Sequence, residues 1–354
     1  MMNMKKTFAF YICILFLSIS CVFAAKDVVR ESTVGHCFSF DSCCLGYSEG
    51  NVQLRSSNFC KFWTCVSKTD DPSLKNQDAF AVHEGECGVC FSIFDGHGPK
   101  GDEVAKLFAK QLVPEVIRKF YEKTISTRTF EEFVLDGRIA DLVDEAVKSV
   151  ESDELKKNKT KEESCLNCSG STALMAFIKN RTLAVAGIGD SRVLLVKKEG
   201  QEFLSKEHKP NHGREKKRIE GSGGRVIKRI QTYRLCPPEG EEYKNLSRLA
   251  MSRSVGNLAL RDFGLITNPS AVVHEITGED LYLVLASDGL WDVLTKERVG
   301  EIVRDCPFVA SLDIAQELLC TAYSKGSRDD ITVIVVYLPY LLGSQDSYSS
   351  DWSS

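Results

Sequence analysis

The most informative absences in this 354-residue chain concern its organisation and its charge. The chain has no internal repeat and no Pro/Gly-rich linker that would divide it, and only nine of its residues are Pro. Its formal net charge of −4 shows no basic excess of the kind that attracts nucleic acid. It also lacks the Gly-x-x-x-x-Gly-Lys loop that cradles nucleotide phosphates. We therefore predict one large domain that binds no nucleic acid.

A long membrane-spanning run is also missing. The main apolar run covers residues 8–23, which is 16 residues, whereas a helix needs about 20 to cross a bilayer. Lys5 and Lys6 precede this run, and the small residues Ala24 and Ala25 follow it. This layout is typical of a secretory signal peptide, predicted over residues 1–24, with an uncleaved anchor as the alternative. We expect a secreted protein or one lumenal to an organelle, with no stable membrane span after cleavage.

Cysteine, in contrast, is plentiful. Of the 14 cysteines, 12 remain after removal of residues 1–24, and an even number in an exported chain predicts disulfides. Several of them crowd an extension predicted over residues 25–59. Two Cys-x-x-Cys pairs, Cys87/Cys90 and Cys165/Cys168, allow a zinc interpretation. Positions i and i+3 of a strand face opposite sides, however, so paired or buried cysteines are favoured over zinc.

Short acidic motifs stand beside strand-like runs at several places in the chain. Asp95 follows the apolar run 89–94, Asp288 follows 281–286, and Asp190 follows 182–189, whereas Asp329 precedes 331–336. Runs rich in Val, Ile and Phe predict buried strands. Carboxylates at the ends of such strands can converge at one rim of a sheet, where they repel one another unless cations lie between them. Mg²⁺ and Mn²⁺ prefer such oxygen ligands.

Each Asp-Gly pair taken alone is typical of a simple turn. The ordered series of motifs, however, resembles the metal-dependent Ser/Thr protein phosphatases of type 2C over about residues 60–338. The series consists of residues 75–79, 94–98, 169–173, 189–192, 207–210, 223–226, 249–256, 286–293 and 326–330.

The resemblance implies an α+β fold. It is a four-layer α-β-β-α sandwich in which two antiparallel sheets are flanked by helices, with metal ions at one end. We predict the catalytic domain over residues 60–338 and a disordered tail rich in Ser and Asp over 339–354. Apolar periodicity predicts helices over 102–122 and 130–155, and a further helix over 214–220. Residues 231–245 are predicted as an exposed loop.

The resemblance also implies roles for individual residues. Asp95 would bridge two ions, either Mg²⁺ or Mn²⁺, and the bridging water would attack the phosphate without a covalent intermediate. His97 would protonate the departing oxygen as a general acid, and the chain has no Cys-x5-Arg loop for a cysteine nucleophile. The other implied metal ligands are Gly96 through its carbonyl, Asp288, Asp329 and Asp78, with Asp190 and Asp292 for a possible third, weaker ion.

Three residues depart from the family pattern. Ser73 stands where many members have an Arg that binds the substrate phosphate, and Lys75 or Lys68 is the expected substitute. Gln77 replaces a Glu, and Asn257 replaces an Asp, which could alter metal affinity or loop position. The leading hypothesis is a monomeric phosphatase acting on phosphorylated proteins. The alternatives are a weak or silent relative that binds phosphoproteins, and a hydrolase of small phosphate esters or nucleotides.

Overall fold

The computed structural model describes residues 50–56, 61–67, 75–85, 87–123, 129–158, 160, 162–230, 232–305 and 313–339. The predicted signal peptide, most of the predicted extension and nearly all of the predicted tail lie outside these residues, as do Ser73 and Lys68. Within the described residues, no helix combines the length and the apolar character needed to cross a membrane.

Two antiparallel sheets form the centre of the fold. The first has the strand order β1-β2-β15-β14-β8-β9. Its strands are β1 (Gly50–Ser56), β2 (Lys61–Ser67), β15 (Ile331–Tyr337), β14 (Asp280–Ala286), β8 (Arg192–Lys197) and β9 (Gln201–Phe203). Strand β1 overlaps the stretch assigned to the extension, and its whole length pairs with β2. The sheet therefore begins before residue 60.

The second sheet has the order β12-β5-β4-β6-β7-β13, and β3 pairs with β4 beside this path. Its strands are β3 (Asp78–Gly85), β4 (Gly88–His97), β5 (Gly170–Ser171), β6 (Ala173–Lys179), β7 (Thr182–Ile188), β12 (Val255–Gly256) and β13 (Ser270–Glu275). A separate hairpin joins β10 (Arg225–Arg229) to β11 (Thr232–Cys236). The exposed loop predicted over 231–245 is therefore wrong in its first part, where β11 pairs with β10.

Helices cover the outer faces of both sheets. Those near the second sheet are α1 (Gly101–Lys123), α2 (Phe130–Leu135) and α3 (Ile139–Lys157), and those near the first are α5 (Asp288–Trp291), α6 (Lys296–Asp305) and α7 (Asp313–Ser324). Helix α4 (Gly213–Gly221) packs near the β10–β11 hairpin. The single helix predicted over 130–155 is wrong, because Gly137 adopts a φ of 75° that ends α2 and separates it from α3.

The side chains of β4 show why the fold has four layers. Phe91 and Ile93 pack into the core between the two sheets, whereas Cys90 and Phe94 pack under the helices. This alternation follows from the two-residue period of a strand, and it explains why the run is apolar on both faces. The predicted α-β-β-α sandwich is confirmed.

Among the described residues, the thiols of Cys90, Cys165, Cys168 and Cys236 are free. The expected disulfides are therefore not found among them. The argument that Cys87 and Cys90 face opposite sides is also wrong. Cys87 lies in the turn before β4, and both side chains pack in the same apolar cluster under the helices.

Candidate metal centre

Strand β4 carries Asp95 to the end of the second sheet, where it pairs in register with Asp78 of β3. The Asp95 carbonyl accepts a hydrogen bond from the Thr172 N–H at 2.9 Å, and the Asp95 N–H donates to Thr172 Oγ1 at 3.0 Å. A Cβ on the next residue, Gly96, would lie 2.3 Å from the Gly101 carbonyl oxygen, so a side chain does not fit there. The backbone around Asp95 is thus held firmly at the sheet end.

Asp78 connects this strand end to the other sheet. Its buried carboxylate accepts hydrogen bonds from Ser287 Oγ at 2.9 Å and from Thr332 Oγ1 at 2.7 Å. Burial raises the pKa of Asp78 to about 7, against the opposing effect of these two hydroxyls. Ser287 directly precedes Asp288, so this bridge fixes the β14 end of the first sheet next to Asp95.

The acidic side chains influence one another across the rim. Loss of solvent and then the negative charges of Asp288 and Asp78 raise the pKa of Asp95. Loss of solvent and then the charges of Asp190 and Asp329 raise the pKa of Asp288. Carboxylates drawn from four distant stretches of sequence therefore lie within electrostatic reach of one another.

Two of the three remaining predicted acidic ligands lie at the open side of this rim. Asp292 and Asp329 are both exposed. The protein atoms around each carboxylate still remove part of its solvation; this loss is the largest cause that raises its pKa, and the charge of Asp190 contributes to both shifts. Solvent, and therefore a substrate, can reach the cluster from this side.

Asp190 is fully buried and is held by Lys209. The Lys209 Nζ donates to Asp190 Oδ2 at 2.6 Å, while Asp190 Oδ1 has no hydrogen-bond partner in the described part of the chain. Burial alone would lower the pKa of Lys209, but the charge of Asp190, followed by Asp288 and Asp292, raises it. Lys209 is thus a cation fixed among three of the predicted metal ligands.

His208, beside Lys209, anchors the Asp190 turn. Its Nδ1 accepts the Gly189 N–H at 3.1 Å, so its proton lies on Nε2, which donates to Ser270 Oγ at 2.7 Å. Burial, followed by the charge of Arg253, lowers the pKa of His208 to about 4. This imidazole is therefore neutral at physiological pH and serves the structure of the turn.

These carboxylates suit a hard divalent cation. Among the described residues, no three His, Cys, Asp or Glu side chains already enclose a metal position. Mg²⁺ commonly binds through one or two carboxylates and keeps several waters, so a closed protein cage is not required. The unpartnered Asp190 Oδ1 and the raised pKa values of Asp95 and Asp288 fit a cation that would neutralise the cluster.

His97 lies two residues beyond Asp95 and contacts Asn257. Its Nε2 donates to Asn257 Oδ1 at 2.6 Å, and Ser254 Oγ is 3.3 Å from the same nitrogen. Burial lowers the pKa of His97, although the Asn257 hydrogen bond opposes this shift. Sequence reasoning had linked Asn257 to metal affinity or loop position, and it missed this direct contact with the proposed general acid.

Of the other two departures, only Gln77 lies in the described part of the chain, together with Lys75, the expected substitute for the Arg replaced by Ser73. The Gln77 amide donates to the Gly98 carbonyl at 2.9 Å and so supports the turn after His97. Lys75 is 81% exposed, and its Nζ is 4.0 Å from the Asp102 carboxylate. In this conformation Lys75 points to solvent at the start of α1, and its role in phosphate binding stays a prediction.

Comparison with known proteins identifies the family of this fold and site. The protein phosphatase 2C profile matches residues 73–331, more than half of the chain. The chain belongs to the protein phosphatase 2C family.

Individual relatives agree with this assignment. The chain is 35% identical over 254 residues to probable protein phosphatase 2C member 13, mitochondrial, of Oryza sativa subsp. japonica, which covers 72% of this chain and 61% of that protein. It is 31% identical over 291 residues to probable protein phosphatase 2C 65 of Arabidopsis thaliana. This alignment covers 74% of this chain and 73% of that protein. The serine-threonine phosphatase 2C structure from Toxoplasma gondii shares the fold, with a TM-score of 0.67 at 22% identity over 82% of this chain and 99% of that one.

Proposed function

We propose that this protein hydrolyses phosphoserine and phosphothreonine in protein substrates, with two divalent cations, Mg²⁺ or Mn²⁺, held at the acidic rim. The main support is the gathering of Asp95, Asp288 and Asp329 beside His97 in a chain of the protein phosphatase 2C family. A cluster of carboxylates that raise one another's pKa repels a phosphate dianion unless cations neutralise it.

We assign the metal ligands from the oxygen groups gathered at the rim. Asp95, the Gly96 carbonyl, Asp288 and Asp329 would hold the pair of ions, and water would complete each coordination shell. When bound, such a pair lowers the pKa of a shared water and offsets the charge of the phosphate. Asp78 would support Asp95 from behind, through its hydrogen bonds to Ser287 and Thr332.

The protein's own acid is His97. Because the Asn257 Oδ1 can only accept a hydrogen bond, the proton of the neutral ring lies on Nε2. The acid would be the protonated ring, which carries a second proton on Nδ1, an atom without a hydrogen-bond partner in the described part of the chain. We assign this second proton to the departing seryl or threonyl oxygen, since an alkoxide is a poor leaving group without one, and the transfer leaves the neutral ring bonded to Asn257. Asn257 and Ser254 hold the ring in one orientation. Attack by water on the phosphorus leaves no covalent phosphoenzyme.

The test is phosphate release from a phosphoserine peptide by the purified protein during a Mn²⁺ titration. Release should require the metal, stop with EDTA, and be abolished in Asp95→Ala while circular dichroism still shows a folded protein. A nucleoside triphosphate tested in parallel should be a much poorer substrate. Absence of release at every metal concentration would instead support the silent relative that only binds phosphoproteins.

We also propose export through the secretory pathway, which rests on the apolar run over residues 8–23 and the lysines before it. A C-terminally tagged copy should colocalise with a secretory marker or collect in the medium. Deletion of residues 1–24 should leave the protein in the cytosol. Cytosolic signal from the full chain would refute this proposal without affecting the catalytic one.

A further inference from the structure

The surface made of α4 and the β10–β11 hairpin, here called the basic flap (residues 213–230 and 232–236), differs in charge from the rest of the chain. It contains eight Lys or Arg residues and two Glu, in a chain whose formal net charge is −4. Both acids are already paired: Glu215 with Arg253 at 2.6 Å, and Glu220 with Lys216 at 3.7 Å. The flap therefore presents a net positive surface.

The cations that face solvent lie on both parts of the flap. Arg214 and Lys217 on α4 are exposed, and so are Lys228 and Arg229 at the end of β10. In the described part of the chain, none of these four forms an ion pair. Four exposed cations that are not neutralised locally raise the local concentration of negatively charged partners.

The tip of the hairpin carries a second unusual feature. Ile230, next to Arg229, is 95% exposed and has a φ of 48°. This left-handed conformation is unfavourable for a β-branched residue, and the position gives the side chain no core to enter. The tip of the hairpin therefore presents one exposed apolar side chain beside two cations.

The basic flap is connected to the candidate metal centre through a short segment. Glu215 accepts hydrogen bonds from Ser252 Oγ at 2.7 Å and from Arg253 Nη2 at 2.6 Å. Two residues after Ser252, the Ser254 Oγ is 3.3 Å from His97 Nε2. Apolar packing of Ile219 with residues of the hairpin and of the 249–251 segment holds the flap in this place.

We propose that the basic flap binds acidic residues that flank the phosphorylated Ser or Thr of a protein substrate. This inference rests on the proposed function and adds a substrate class to it. The contacts of Glu215 with Ser252 and of Ser254 with His97 place α4 only a few residues of chain from the site. An extended peptide adds about 3.3 Å per residue, so residues that flank a bound phosphoresidue can extend toward the flap. Exposed charges of this kind favour partners of the opposite sign and speed their association.

The experiment compares three phosphoserine peptides that differ only in having acidic, neutral or basic flanking residues. kcat/KM is measured for the wild type and for Lys228→Glu/Arg229→Glu, with p-nitrophenyl phosphate as a substrate that has no flanks. The charge-reversal control is Lys197→Glu/Lys198→Glu, at the end of β8 that is far from Asp190. These lysines pair with Glu202 and Glu279, so thermal unfolding checks that the control variant is folded. Binding of non-hydrolysable phosphonate versions of the peptides is followed by fluorescence anisotropy.

We expect the wild type to prefer the acidic peptide by about tenfold, as a few exposed charge contacts would give. The flap variant should lose this preference and keep its rate on p-nitrophenyl phosphate, while the control variant should behave as wild type. Raising the salt concentration should weaken the preference because exposed charges are screened.

Equal cleavage and binding of all three peptides by the wild type would overturn the inference. So would a folded flap variant that still prefers the acidic peptide as strongly as the wild type. Flap-dependent binding to phosphatidylserine vesicles, without any peptide preference, would assign the flap to a membrane surface instead. If no peptide is hydrolysed but the anisotropy preference persists, the proposed function fails and the inference about the flap stands.

Discussion

Replacing Asp288 by Asn should stabilise the metal-free protein while it removes the activity. Asp288 is partly buried, and the charges of Asp190, Asp329 and Asp292 join the loss of solvent in raising its pKa. A carboxyl whose pKa is raised by folding contributes stability at pH values below its unfolded pKa and loses it as the pH rises through the folded pKa. At neutral pH the ionised group therefore opposes folding, and the neutral amide does not.

The magnitude follows from the repulsion that is removed. Two like charges about 4 Å apart repel by about 1 kcal/mol in water and about 4 kcal/mol at the effective dielectric of a protein surface. Lys209 offsets part of this repulsion, so we expect a gain of about 1–3 kcal/mol at pH 7.5. This gain corresponds to about 2–4 °C in Tm for each kcal/mol. The gain should shrink as the pH falls toward the unfolded pKa of about 4, because the wild-type carboxyl is then protonated in both the folded and the unfolded chain.

Thermal unfolding in EDTA and in Mn²⁺ measures both effects. The wild type should gain stability when Mn²⁺ is added, because a ligand that binds only the native state shifts the unfolding equilibrium. Asp288→Asn should begin more stable in EDTA, gain less from Mn²⁺, and release no phosphate from a phosphopeptide. A variant that is less stable in EDTA, or that keeps the full Mn²⁺ response, would show that Asp288 is not part of a repulsive metal-binding cluster.

Three further predictions concern the residues around the rim. His97→Gln should lower turnover of a phosphoserine peptide by about 10²–10⁴-fold. Hydrolysis of p-nitrophenyl phosphate should fall much less, because the nitrophenolate leaving group needs little protonation. Equal losses on both substrates would contradict the general-acid role. Lys209→Met should strengthen the binding of a third Mn²⁺ at Asp190, since the substitution removes a fixed cation. Titration calorimetry measures the stoichiometry of Mn²⁺ binding. Weaker binding would show that Lys209 instead orients the carboxylate. The folded pKa of His208 is about 4, so its contribution to stability is present above pH 6.5 and decreases by up to about 3 kcal/mol as the pH falls toward 4. The free energies of unfolding in urea of the wild type and of His208→Gln should therefore converge as the pH falls. Curves of unfolding free energy against pH that stay parallel would refute this.

Much of the fold could be predicted because the signals are local. The apolar run of β4 and the Asp-Gly turn that follows it identify a buried strand with a carboxylate at its end, and neighbouring residues determine both features. Local signals failed where one residue interrupted a continuing pattern. The apolar stripe over 130–155 continues across Gly137, but the left-handed backbone at this glycine divides the stretch into α2 and α3.

The sequence by itself therefore determined which segments become strands, and it placed an Asp at the end of several of them. Only the tertiary structure decided the partners of these side chains: Asn257 against His97, Lys209 against Asp190, and Asp78 against Ser287. These pairs depend on strand register and on how one sheet is seated on the other. Side chains separated by as many as 254 positions, such as Asp78 and Thr332, meet only after both sheets have packed, and no local pattern encodes that contact.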